Sequence, residues 1–150
     1  MSAQLIDLML EAARAAATAI MEVYLDDFTA EAKADGSPVT VADQRAETII
    51  LDHLSSTHLP VLAEESVAGG HRPVLGDRFF CVDPLDGTKE FLKRNGEFTV
   101  NIALIENGRP THGVVLAPAT GQTYIGTPDG AWEITSRNER VRLNTTPDGE

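Results

Sequence analysis

The sequence predicts an α+β fold, with two N-terminal helices packed on a largely antiparallel sheet. Three features carry that reading. Apolar residues recur at helical spacing through the first third of the chain. The period then shortens to that of strands, and turn signals divide the remaining apolar runs.

Each element can be justified in order. Leu5, Leu8, Met9, Ala12, Ala16, Ile20 and Val23 fall three and four apart, so residues 3–28 form a long helix with one apolar stripe. Its many alanines combine high helix propensity with close packing. Asp35-Gly36-Ser37-Pro38 is a turn cluster. A second helix is expected after Thr40, with Thr40 and Asp43 as a capping box in which aspartate replaces the usual glutamate. Ala42, Ala46, Ile49, Ile50 and Leu54 supply its inward face.

Strands are expected at 61–63, 79–82, 98–105, 112–116, 121–125 and 131–134. Asn107-Gly108 marks a hairpin between the third and fourth of these. Residues 66–77 read as a loop. One domain over residues 1–143 is therefore expected, followed by a polar tail at 144–150.

A formal net charge of −11 argues against a nucleic-acid partner, which needs a basic footprint. It equally disfavours binding phosphate, unless a metal reverses the local sign. A single cysteine, Cys81, excludes an internal disulfide and suits a reducing cytoplasm. Among apolar neighbours it is expected as a small buried hydrophobe. No apolar run approaches the ~18 residues of a membrane span. The four histidines show no metal-ligand spacing.

Within Cys81-Val82-Asp83-Pro84-Leu85-Asp86-Gly87-Thr88 the sequence sets two acids three apart at the end of an apolar run. Pro84 holds Asp83 extended, and Gly87 permits a sharp turn. Residues 88–94 can then start a helix, whose first N–H groups favour an anion. Two carboxylates beside such a helix start can hold a hard cation that a phosphate also touches. Oxygen donors without nearby histidine or cysteine select Mg²⁺ or Mn²⁺. Asp-Pro and Asp-Gly are also common turn pieces, so local chemistry leaves a turn and a metal site both open. Glu64-Glu65, delivered by the strand before it, carries the same ambiguity.

Taken together, Ser37-Pro38-Val39-Thr40-Val41-Ala42-Asp43, Ala63-Glu64-Glu65-Ser66 and Asp83-Pro84-Leu85-Asp86-Gly87-Thr88 resemble, in that order, the three motifs of the magnesium-dependent, lithium-sensitive inositol monophosphatase superfamily. Lys89-Glu90-Phe91 and the run from Lys93 to Asn101 look most like its bacterial 3′(2′),5′-bisphosphate nucleotidases of the CysQ type.

The resemblance implies the layered α/β phosphatase fold, of which this chain matches the N-terminal half. It also implies two or more Mg²⁺ ions, with Mn²⁺ as a substitute and inhibition by Li⁺. Glu64, Asp83 and the Leu85 carbonyl would hold one ion, and Asp83 would bridge to a second also held by Asp86. Gly87 and Thr88 would bind the phosphate. Thr88, with Asp43 and Glu64, would orient and deprotonate the attacking water, and Glu65 would support them.

The implied reaction releases phosphate from 3′-phosphoadenosine 5′-phosphate, a by-product of sulfate assimilation, leaving AMP. An inositol- or sugar-phosphate phosphatase is the alternative enzyme, and a non-catalytic metal- or phosphate-binding fragment the alternative of another class. The implied location is the cytoplasm, in solution or peripheral at the inner membrane.

The family's later Trp-Asp-x-Ala-Ala motif has no counterpart, since Trp132 is followed by Glu133-Ile134. A weakened second metal site is thus expected, as is self-association through the face that the absent C-terminal half would cover.

Overall fold

The computed structural model describes residues 2–25, 38–63, 75–87, 91, 96–135 and 137–143. Two helices, α1 (Ser2–Leu25) and α2 (Pro38–Leu54), precede a 3₁₀ turn at Ser55–Thr57. Seven strands follow: β1 (Val61–Ala63), β2 (Arg78–Asp86), β3 (Thr99–Glu106), β4 (Arg109–Leu116), β5 (Thr123–Thr127), β6 (Gly130–Ile134) and β7 (Arg140–Arg142). They form one sheet in chain order. Among these strands β1 and β2 pair in parallel, and the other neighbouring pairs are antiparallel.

Alternation along the strands divides the sheet into two unlike faces. On the inner face Phe80, Val82, Val100, Ile102, Leu104, Val114, Leu116 and Ile125 are buried. They join one core with Ile6, Met9, Ala13, Ala16 and Ile20 of α1 and Ala42, Ala46, Ile50 and Leu54 of α2. Helix α1 packs on α2 and reaches β3, β4 and β5, while α2 lies over β2. Fully buried alanines on both helices keep the layers close. Each large side chain buried in this layer contributes on the order of 1.5–3 kcal/mol.

The β3–β4 hairpin turns at Asn107 and Gly108, whose φ angles of 53° and 79° both lie in the left-handed region. That is the two-residue turn whose twist suits a hairpin, as the Asn-Gly pair predicts. Polar contacts fasten the far edge to α1: Arg140 donates to Asp7 at 2.8 Å and Arg14 to Asn138 at 2.7 Å.

Three expectations need correction. Helix α2 starts at Pro38, not after Thr40. Proline suits the first helical position, where its missing N–H costs nothing, so Thr40 lies inside the helix and cannot cap it with Asp43. Strand β7 was not anticipated, because Arg140-Val141-Arg142 is short and polar; it forms by pairing with β6. Cys81 is exposed. Its neighbours Phe80 and Val82 take the inner face, and strand alternation turns Cys81 to the other side. The expected tail at 144–150 and most of the expected helix at 88–94 lie outside the described residues.

Candidate metal and phosphate site

The site grows from an irregularity in β2. Asp83 pairs with Asn101 and Asp86 with Thr99, so three steps along β2 match two along β3. This is a β-bulge, with Pro84 and Leu85 together facing Val100. Its consequence is chemical. In an unbroken strand, residues three apart face opposite sides. The one extra residue brings Asp86 round to the outer face, beside Asp83.

Among the described residues the pairing of β2 with β1 runs from Phe80 to Val82. Pro84 sits within the bulge, one of the places in a sheet where proline is tolerated. Leu85 is buried, which anchors the bulge in the core while the two aspartates stay at the surface. Gly87 then adopts a φ of 102°, open to glycine and strained for other residues. The Phe91 N–H donates to the Gly87 carbonyl at 2.9 Å, closing one helical turn directly after the aspartates.

Phe91 is fixed from two sides. Its ring lies 5.4 Å from Tyr24 on α1 and 5.2 Å from Phe98, just before β3. Tyr24 and Phe98 complete the triangle at 4.9 Å. This edge-on and tilted cluster ties α1, Phe91 and the start of β3 together at the end of the bulge where Asp86 lies.

Asn101 completes the described part of the site. Its Nδ2 donates to Asp86 Oδ2 at 3.1 Å, while its Oδ1 is buried without a hydrogen-bond partner among the described residues. Asp83 and Asn101 line one groove of about 530 Å³ on the outer face, with Leu62, Cys81 and Val115. Asp43 lies in α2, the helix packed over β2, and is buried with 8% exposure.

Of the expected site residues, Asp83, Asp86 and Leu85 come together in the bulge with Gly87 directly after it. Asp43 is on a separate element. Glu64, Glu65 and Thr88 lie outside the described residues. Among the described residues no three His, Cys, Asp or Glu side chains gather closely enough to hold a metal ion. The described donors nonetheless suit a hard cation: two carboxylates, the Leu85 carbonyl, and an orphaned amide oxygen beside them. Asn101 carried a signal in the sequence, as a polar residue inside the apolar run Val100–Ile105, but its partner is visible only once the strands are registered.

A second polar cluster lies at the opposite end of the sheet. The Thr111 hydroxyl donates to Glu106 at 2.6 Å, and Arg78 binds the same carboxylate at 2.9 Å. The Thr111 hydrogen bond, aided by Arg78, holds the Glu106 carboxyl below its ordinary 4.5 against the opposing effect of burial. Because the Thr111 hydrogen is spent on Glu106, buried His112 donates from Nδ1 to the Thr111 oxygen at 2.9 Å.

A sheet with helices on one side, and a bulged strand presenting two aspartates ahead of a glycine at positive φ, define an α/β layer with a candidate cation site. The chain belongs to the inositol monophosphatase family, whose model matches residues 1–148. It is 47% identical over 133 residues to the 3′(2′),5′-bisphosphate nucleotidase CysQ of Escherichia coli K12, covering 86% of this chain and 54% of that protein. The crystal structure of CysQ from Bacteroides thetaiotaomicron superposes with a TM-score of 0.76 at 38% identity, over 95% of this chain and 52% of the other. Mycobacterium tuberculosis SuhB gives a TM-score of 0.77 at 26% identity, over 97% and 53%. The chain thus spans about half the length of the relatives it matches. Among the described residues no helix is long and apolar enough to cross a membrane.

Proposed function

We propose that these residues form the metal-binding half of a Mg²⁺-dependent phosphomonoesterase that hydrolyses 3′-phosphoadenosine 5′-phosphate to AMP and phosphate. The bulge that turns Asp83 and Asp86 to one face carries this reading, and the similarity to CysQ nucleotidases supports the substrate. Residues 1–143 form the domain.

In this reading Asp83, Asp86, Glu64 and the Leu85 carbonyl hold Mg²⁺, or Mn²⁺ in its place, and Li⁺ inhibits. Bound there, the cations supply positive charge for the phosphate and acidify water. The chain's own groups do the rest. Gly87 and Thr88 offer backbone N–H groups to the phosphate, and the positive φ of Gly87 lets the chain turn close to it. Thr88, with Asp43 and Glu64, orients the attacking water and takes its proton, and Glu65 supports them. The water oxygen bonds to phosphorus as the bond to the ribose 3′ oxygen breaks, and that oxygen leaves with a proton.

The outer sheet face also suits self-association. Asn101, Val115, Tyr124, Glu133 and Val141 form one row across five strands, and Val115, Tyr124 and Val141 are 43%, 37% and 52% exposed. Exposed apolar side chains at Val115, Tyr124 and Val141 offer such a face contacts for a partner.

The test is phosphate release from 3′-phosphoadenosine 5′-phosphate and from inositol monophosphate, with Mg²⁺, by the native chain and by Asp83→Asn. Release from the nucleotide that falls at least 100-fold in the variant supports the proposal. Preference for the inositol ester moves the chain to the alternative phosphatase class. Mg²⁺ binding without turnover of either makes it a non-catalytic metal-binding domain.

A further inference from the structure

We infer that Asn101 is a positioning residue of this metal centre, holding Asp86 with its amide N–H and accepting a hydrogen bond from a metal-bound water with its Oδ1. The inference rests on the metal site proposed above and adds a role for a residue on the neighbouring strand.

The polarity of the amide is fixed by chemistry. An ionised carboxylate only accepts hydrogen bonds, so the group facing Asp86 Oδ2 at 3.1 Å must be the NH₂ end. The Oδ1 end is thereby committed to the other side, where it is buried and has no donor among the described residues. A buried acceptor left in this state lowers stability, and native structures keep few of them without a reason.

The surroundings narrow what the missing donor can be. Asn101 is paired with Asp83 across the sheet and hydrogen-bonded to Asp86, and neither of these carboxylates can donate to it when ionised. A water bound to a cation that these acids would hold would give its lone pairs to the ion and direct its hydrogens away from it. It therefore needs acceptors, and a neutral one adds no further negative charge to the site. Amide and carboxylate groups that orient ligands in this way commonly change metal affinity 10- to 100-fold when removed.

The experiment uses the intact chain and Mn²⁺ as the probe, with affinity read by calorimetry and the melting temperature of the metal-free protein read alongside. Asn101→Leu, close in size but without polar atoms, should weaken Mn²⁺ binding about 10-fold or more. The metal-free melting temperature should stay level or rise, because the orphaned acceptor is gone. Asn101→Asp retains acceptor oxygens and should bind Mn²⁺ more tightly than Asn101→Leu. If the leucine variant does not fold, Asn101→Ala carries the same expectation.

Mn²⁺ affinity within twofold of the native chain, alongside lost binding in Asp83→Asn, overturns the role of Asn101 and leaves the metal site standing. A weakened affinity accompanied by a matching fall in the metal-free melting temperature overturns it too, as a structural effect only. Absence of Mn²⁺ binding by the native chain overturns both this inference and the site on which it rests.

Discussion

The two faces of the sheet are built from the same strands and differ in almost everything else. Phe80, Val82, Val100, Ile102 and Val114 turn inward and are at most 3% exposed. Cys81, Asp83, Asn101 and Val115 alternate with them and turn outward, into a groove that carries the candidate site. The helical side is specified by burial, which tolerates few substitutions. The outer side is specified by chemistry, and packing constrains it less among the described residues. A bulge in β2 connects the two, since burying Leu85 on one face is coupled to presenting Asp86 on the other.

Truncation should expose the difference most sharply. Phe80→Ala removes a fully buried ring from the centre of the core and should cost about 3–5 kcal/mol. Val115→Ala, one residue from the core but on the outer face, should cost under about 1 kcal/mol. Denaturant unfolding of both variants measures the contrast; similar losses would mean that the outer face is packed in solution as well.

The helix layer offers the next largest effect. Ala46 on α2 is fully buried, as are Ala12, Ala13 and Ala16 on α1. Ala46→Leu should destabilise by about 1–3 kcal/mol through overpacking, although leucine is a good helix former. A neutral result would show that α2 can shift on the sheet. Because α2 carries Asp43, such a shift would also loosen that residue's position relative to β2.

A weaker perturbation tests the outer face as a contact surface. Val115→Ser with Tyr124→Ser should shift association toward smaller species in analytical ultracentrifugation while leaving the melting temperature within a few degrees. An unchanged distribution would assign any association to another surface.

Much of this contrast was legible in the sequence, for reasons that can be stated. Helical spacing marked α1 and most of α2, and the Asn107-Gly108 pair marked its hairpin, because these signals are local. The start of α2 lies three residues before the expected one, since Thr40 with Asp43 and Pro38 offer competing helix starts and proline at the first helical position prevails. The facing of Cys81 was misread because an apolar run in sequence does not tell a strand's inner residues from its outer ones. Strand β7 depends on a partner and has almost no apolar signal of its own. At the site, Asp83 and Asp86 stood out by spacing and motif. What no local reading could provide was the extra residue that places them on one face, or Asn101 as the group between them. Both arise from register with β3, a non-local property.

The smallest expected effect concerns the strand ends away from the site, where β2, β3 and β4 meet at Arg78, Glu106 and Thr111. Glu106 accepts from Thr111 and Arg78, and these contacts lower its pKa below the ordinary 4.5. A lowered carboxylate stabilises the fold fully above its unfolded value, and that contribution disappears as pH falls through the lower folded value. Stability should therefore decline below about pH 4.5 in the native chain, with Glu106 contributing to the slope. Glu106→Gln should flatten that part of the profile and change stability by under about 1 kcal/mol near neutrality, since Arg78 and Glu106 are 45% and 28% exposed. Melting temperature against pH for the two proteins makes the comparison. A parallel pair of curves would show that the carboxylate's contacts at these strand ends, unlike those proposed for the outer-face aspartates, leave no mark on the folded state.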